Sequence, residues 1–432
     1  MLSQHGRPML QRTTSKAWPL LCVAAVCSSS CANDDPLRGW TGSVQDSAGI
    51  RVVRNPVEGI WCPGEEWAFT DGMIIGADVG DPTYEFGKIT GIEVGSDGLV
   101  YVFDQMASEI RVFDQEGSHV RTIGGRGQGP GEFSAGAAGI FLMNDDRLAV
   151  PDLNNQRVSS MSLEGEFLGS AMASYAAGFP VRWDGDGRGS IYVQRRAMSF
   201  NEDPDLEAGD PLVRIAGDGS EETLVILPKA ETVWMEGNAP RFRYFATEPS
   251  WDMGPTGTLR TAMTQDYRIE LRGTDGQVHT VLTKPSPPRP VTDGDRDRFI
   301  ELMRDALTRM GLSSSSVDRQ IDRLSFGTTF PAFNQVMEGP EGTTLVQRID
   351  ELSEMEALDL SEEMSKRLGS RTWDVFDPEG RFLGAIELPA RFTPMAWQTT
   401  AVYGRWLDDV DRSHLRKLNL TGVGRRPEGR CR

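Results

Sequence analysis

Two copies of Val-Gln-Arg, at 193–195 and 346–348, close apolar runs with an amide and a guanidinium side by side. If Arg195 and Arg348 faced a common mouth, with Gln194 and Gln347 beside them, they could grip a carboxylate through paired N–H donors. The competing role for each arginine is a salt bridge to one of the chain's own 63 acidic residues. Asp104 and Asp152 are a second candidate pair, because each follows a short apolar run, Tyr101-Val102-Phe103 and Leu148-Ala149-Val150-Pro151. An aspartate there can offer oxygens to a ligand, but it more commonly ties down the turn that follows through side chain to backbone bonds. His119, His279 and His414 fall on expected third or fourth strands, so they do not converge as a three-histidine zinc site requires. Oxygen ligands for calcium are plentiful, but no spacing among them picks out a set. No nucleophile elbow, Cys/His pair or dinucleotide fingerprint occurs, and the glycine-rich stretch from Gly124 to Gly131 lacks the Lys-Ser/Thr ending of a phosphate loop.

The elements that must position these residues follow from an internal repeat. Gly91, Ile92, Asp97, Val102, Asp104, Glu116 and Gly117 recur forty-eight residues later as Gly139, Ile140, Asp145, Val150, Asp152, Glu164 and Gly165. Within each copy, apolar residues alternate with period two and are punctuated by Asp-Gly or Glu-Gly, where glycine accepts the positive φ of a tight turn. Such a unit is a small antiparallel sheet that cannot bury both faces alone and needs siblings around it. Expected inner strands near Ile89, Ile140, Val181, Phe245, Phe333 and Met395 give six units. The last, Pro394 to Leu420, supplies only three strands, so the orphan run Ile50 to Arg54 is expected to complete it and close the ring.

In such a ring the connections after second and fourth strands share one face. The expected loop-bearing face therefore collects Asp104, Asp152, Gln194, Arg195, Gln347 and Arg348. Two insertions should emerge there as well. Residues 292–326 carry Phe299, Leu302, Met303, Ala306, Leu307 and Met310 at helical spacing before Gly311, and a second short helix follows from Ser316 or a neighbour. Residues 350–370 are acidic.

Tyr101-Val102-Phe103-Asp104, Ile110-Arg111-Val112-Phe113-Asp114 and the run Gly124 to Phe133 together resemble the NHL repeat. The second copy keeps Asp152, Asn155, Arg157 and Val158 at that family's spacing, whereas the first has Ala107 and Glu109 instead. The resemblance covers residues 86–170 and implies an all-β propeller of four-stranded blades, with the Gly124 to Phe133 loop as a connection between blades.

Composition narrows the partners. A formal charge of −18 works against phosphate backbones and anionic membrane surfaces, so nucleic acid is not expected. Arg7, Arg12 and Lys16 precede an apolar run from Ala17 to Val26 that is too short to span a bilayer, the pattern of an export signal over residues 1–32. Cys31, after Ser28 to Ser30 and before Ala32-Asn33-Asp34-Asp35, resembles the lipidated cysteine of bacterial lipoproteins, and ordinary cleavage after Ala32 also fits. Contact with a membrane is then expected only through such an anchor. Removal of the signal leaves Cys62 and Cys431 near opposite ends, either a disulfide across a closing ring or two separate thiols.

The expectation is thus a signal segment (1–32), a linker (33–48), a six-bladed β-propeller over 49–424 with helical (292–326) and acidic (350–370) insertions, and a tail (425–432). Its expected role is that of a monomeric, exported, non-catalytic protein of the bacterial periplasm or envelope, needing no cofactor and binding a protein, peptide or glycan at the loop-bearing face. The alternative is a calcium-dependent hydrolase or lactonase with its site at the channel mouth.

Overall fold

The computed structural model of the chain describes residues 39–76, 80–144, 146–173, 175–197, 208–236, 239–349, 351–355 and 368–425. The signal segment, Cys31, Asp145, Cys431, most of the acidic insertion and nearly all of the tail lie outside the described residues. Cys62 is disulfide-bonded.

Six four-stranded antiparallel blades make up the ring. Blade one runs Ile89–Gly124, blade two Phe141–Met172, blade three Phe179–Leu227, blade four Pro249–Thr283, blade five Gln335–Glu387 and blade six Phe392–Thr421. Alternation puts one side of each strand against the next blade. Tyr101, Phe103, Ile110 and Val112 of blade one thus pack with Ile140, Leu148, Val150 and Met161 of blade two. Trp373, Val375 and Ile386 of blade five meet Val402 and Leu418 of blade six in the same way. The core is therefore a series of interfaces between blades, and Trp251 and Trp373 are among its largest fully buried side chains.

The forty-eight-residue repeat extends to the backbone. Ser108 and Gln156, four residues past Asp104 and Asp152, both adopt left-handed φ, +61° and +48°. The two aspartates hold equivalent turns. Asp104 accepts from the backbone N–H of Gly87, Lys88, Met106 and Ala107. Asp152 accepts from the N–H of Ser134 and Asn155, the Ser134 hydroxyl and Asn155 Nδ2. Each carboxylate ties the segment entering its blade to the turn after the second strand. We expect Asp152→Ala to cost about 2 kcal/mol, because buried backbone donors lose their acceptor. A melting temperature unchanged from wild type would contradict this role.

The last blade closes on a different strand from the expected one. Its fourth strand is Ala68–Ile75, antiparallel to Ser413–Thr421, and not Ile50–Arg54. Ile50–Arg54 runs parallel to Val278–Thr283, the outer strand of blade four, and pairs with Ser43–Ser47 in a hairpin. Blade four thereby becomes a six-stranded sheet, and the first strand of the hairpin occupies residues expected to be linker. The reason lies just beyond it. Asn55 is buried; its Nδ2 donates to the carbonyls of Thr283 (3.2 Å) and Gly380 (2.9 Å), and its Oδ1 accepts from Phe382 N (2.7 Å) and Trp40 Nε1 (3.1 Å). This side chain joins blade four to blade five and leaves Ile50–Arg54 nowhere else to pair. The chain then follows blade five, where Ile60 and Trp61 donate to Leu383 O, before reaching blade six.

A second departure concerns the segment near Phe245. Val233–Glu236 and Ala239–Tyr244 form a hairpin whose second strand pairs in parallel with Leu324–Phe326. The inner strand of blade four starts only at Pro249. Helices α1 (Asp293–Arg309) and α2 (Ser314–Ile321) join this small sheet. Thr292 and Asp295 cap α1 reciprocally, and Gly311 ends it at φ +81°. Phe299, Leu302, Met303, Ala306 and Leu307 bury themselves against Tyr244, Phe245, Phe330, Leu352 and Leu368, so the ends of both insertions share one cap. Met310, expected in the same stripe, is exposed. Among the described residues no helix is long and apolar enough to cross a membrane.

Candidate functional site

Under the helical cap lies a cavity of about 590 Å³ between blades four and five. Its walls include the turn after the second strand of blade four (Gln265–Tyr267), the exit from its outer strand (Lys284–Arg289), the return from the cap (Gly327–Ala332), the end of the second strand of blade five (Arg348, Ile349), the segment Phe245–Thr247 ahead of blade four, and the acids Glu231, Glu351 and Asp374. The first four belong to connections after second and fourth strands, the face where loops vary while the ring stays rigid.

Asp374 organises one wall. It sits in the apolar strand Gly369–Phe376 and is 1% exposed. Its Oδ1 accepts from Arg348 Nε (2.9 Å) and Nη2 (2.6 Å). Its Oδ2 accepts from Lys284 Nζ (2.7 Å) and the Tyr267 hydroxyl (2.5 Å). Burial pushes the Tyr267 hydroxyl well above its usual range, and the adjacent Asp374 charge adds to the effect. Burial also lowers the Lys284 ammonium, which the Asp374 charge partly offsets. Lys284 Nζ lies 4.0 Å from the centroid of the Phe382 ring, an arrangement that favours a cation in a desolvated place.

Another part of the lining is aromatic. Phe245 holds a left-handed φ of +56°, which for a bulky residue costs on the order of 1–3 kcal/mol. It is wedged against Phe299 (5.2 Å between ring centroids), Phe326 (5.3 Å) and Phe330 (4.6 Å). Arg289 caps Phe330 at 3.7 Å and pairs with Glu351. Pro285, Pro287, Pro288 and Pro331 stiffen the rim.

The sequence candidates divide. Arg348 lines the cavity with its side chain 45% exposed. Arg195 does not, because it makes a two-point pair with Glu221 at 2.9 and 2.7 Å in blade three. The expected joint grip by two arginines is therefore absent, each having found an acid in its own blade. Gln194 bridges Asp210 and the indole of Trp251. Gln347 accepts from Asn334 and Gln335 and donates to Ser370 O, holding strands together. Asp104 and Asp152 hold turns. The residues absent from the sequence reading are Lys284, Tyr267, Asp374 and Arg289. One signal was in view: a lone carboxylate inside Thr372-Trp373-Asp374-Val375-Phe376 must find cations, since an unpaired buried charge is prohibitively costly.

A second set of titratable groups stitches the inner strands together. Glu93 of blade one accepts from the Leu142 N–H of blade two, Asp184 of blade three from Met253 N of blade four (3.0 Å), and Asp252 of blade four from Glu338 N of blade five (2.6 Å). Burial, reinforced by Asp184, raises Glu93 to about 8. Burial, reinforced by Asp252, raises Asp184 to about 7. Among the described residues no group of three or more His, Cys, Asp or Glu side chains could hold a metal ion.

Residues 82–179 match the DUF5128 family, described as a 6-bladed beta-propeller. No functionally curated protein matches the sequence. Among solved structures, a member of the DUF4221 family from Bacteroides vulgatus superposes with a TM-score of 0.50 at 10% identity, covering 83% of this chain and 99% of its own. A Bacteroides fragilis protein inferred to be exported gives 0.47 at 10% identity, covering 86% and 99%. Virginiamycin B lyase from Staphylococcus aureus gives 0.41 at 12% identity, covering 82% and 100%. At such identities the likeness concerns the fold alone.

Proposed function

We propose that this chain is an exported, non-catalytic propeller that captures a peptide or similarly small ligand in the cavity between blades four and five. The observation that carries the reading is the cavity itself: about 590 Å³, on the loop-bearing face, beside the helical cap whose core includes Phe245 and Phe330, and lined by both charged groups and aromatic rings. Sites of this size and mixed lining suit ligands of a few residues. Export is supported by the basic and apolar pattern of residues 1–32. Thr329 is exposed at the rim, so Thr329→Trp can fill the cavity without disturbing the core. The purified chain is incubated with the small-molecule and peptide fraction of an envelope extract, and species released on denaturation are identified by mass spectrometry. The wild type should retain a species that Thr329→Trp does not. Equal retention by both proteins, or none by either, sinks the reading.

A further inference from the structure

We infer that Cys62 pairs with Cys431, and that this disulfide is the covalent clasp of the ring, fastening the strand from the N-terminal side that completes blade six. The inference rests on the export reading above, which places the chain in an oxidising compartment and takes residues 1–32 out of the count.

The chain has five cysteines, Cys22, Cys27, Cys31, Cys62 and Cys431, and Cys62 is disulfide-bonded. Its partner therefore lies in the signal segment or at Cys431. Cleavage on export removes Cys22 and Cys27. Cys31 either leaves with them or has its thiol taken by a lipid, so Cys431 is the thiol that remains.

The neighbourhood of Cys62 agrees with this partner. Trp61 N donates to Leu383 O (2.8 Å) on the outer strand of blade five. Cys62 N donates to Glu65 Oε2 (2.8 Å) and Glu65 N to Cys62 O (2.9 Å), which fixes the turn. The far end of the chain comes to the same spot. Thr421 pairs with Ala68 at the last rung of blade six. A Cβ on the next residue, Gly422, would stand 3.4 Å from Glu66 O and 3.5 Å from Trp67 Cα, and the Trp67 ring lies 5.9 Å from that of Trp61. Val423 and Trp61 pack against one apolar cluster of blades five and six. Eight residues lead from Val423 to Cys431, a reach of up to about 28 Å.

The clasp answers a weakness of the closure. Ala68–Ile75 completes blade six, yet Ile75 is its single buried residue, so apolar burial holds this strand poorly and its hydrogen bonds hold it instead. A bond between Cys62 and Cys431 lies just beyond the Ala68–Thr421 rung and stops the pair from fraying at that end. Its formation takes two electrons and two protons from the thiols. The oxidant is a protein disulfide of the exporting compartment, which exchanges through a mixed disulfide and leaves as a dithiol.

The test maps the bond in the full chain exported under its own signal. The protein is denatured without reductant, treated with N-ethylmaleimide, digested after glutamate and read by mass spectrometry. Peptides 59–65 and 429–432 should appear joined, separate on reduction, and carry no alkylated cysteine. Alkylated Cys62, or Cys62 joined to Cys22, Cys27 or Cys31, overturns the inference. The mass of the N-terminal peptide in the same digest reports whether residues 1–32 were processed, and the Thr329→Trp comparison stands apart from both. Failure of the pairing is thus distinguished from failure of the export or cavity reading. Cys431→Ser should melt at least about 5 °C below wild type. Dithiothreitol should bring wild type down to the same midpoint and leave the variant unchanged. A variant that melts with wild type overturns the role as a clasp. The wild-type peptide map keeps the pairing falsifiable should Cys431→Ser fail to fold.

Discussion

Glu338→Ala is expected to lower stability by about 3–5 kcal/mol, the usual penalty for stranding a buried charge. Its partner Arg260 is 1% exposed. The guanidinium donates to Thr344 Oγ1, Thr258 O, Gly342 O, Thr343 O and Glu338 Oε2, the last at 2.6 Å. Glu338 also accepts from the Thr256 N–H and hydroxyl. Blades four and five are joined here by one saturated polar cluster, and removing the carboxylate leaves a guanidinium that cannot reach water. The apolar double variant Arg260→Met/Glu338→Leu should recover part of the loss, because neither charge then needs a partner, while the Thr256 N–H and the carbonyls of Gly342 and Thr343 lose theirs. Thermal unfolding followed by circular dichroism at one scan rate measures both. A single variant within about 1 kcal/mol of wild type contradicts the account, as does a double variant no better than the single. Gly254 lies close by, and a Cβ there would stand 2.0 Å from Glu338 Oε2, so the fit tolerates no bulk.

The second large effect is on pH dependence. Glu93, with an ordinary value of 4.5, is raised to about 8 in the fold, and Asp184 moves from 3.8 to about 7. Both are acids whose folded form holds a proton that the unfolded chain has already released. Stability from these groups is therefore complete below about pH 4 and is lost as pH rises through the folded values. Each group can remove at most about 1.4 kcal/mol per pH unit inside its window. Glu93→Gln keeps an oxygen for the Leu142 N–H and cannot ionise, so it should be more stable than wild type by about 1–3 kcal/mol at pH 8.5. The two proteins should converge towards pH 4.5. Unfolding midpoints between pH 4.5 and 9 decide it: parallel curves mean that Glu93 does not titrate in this range. The effect requires only the burial of a carboxylate beside Asp184.

Much of the ring is legible from local chemistry. Period-two alternation and turns such as Ser96-Asp97-Gly98 define strands through contacts a few residues apart, and the inner strands accordingly lie within a few residues of their expected positions in blades one, two, three, five and six. The capping and stripe of α1 are local in the same sense. Errors arose where pairing is decided at long range. Ile50–Arg54 reads as a strand and is one, but the sheet it joins depends on Asn55 contacting Thr283 and Gly380, more than two hundred residues away. The inner strand expected near Phe245 gives way to Ala239–Tyr244, which pairs with Leu324–Phe326 across the helical insertion.

The candidate site shows the same division. Residue type alone marks Arg348 as able to grip a carboxylate, and the repeat marks Asp104 and Asp152 as builders of turns, since a group that recurs in both copies of a repeat serves the blade. What each arginine faces depends on which acid lies beside it. Arg195 meets Glu221 in blade three, while Arg348 shares Asp374 with Lys284 and Tyr267 at the cavity. Strand identity, turn position and the six-fold repetition are set by short-range sterics and by alternation, so the sequence by itself determines them. The closing strand, the cavity and the pairing of its charged groups arise only when residues far apart in the chain share one desolvated space, so only the tertiary structure decides them.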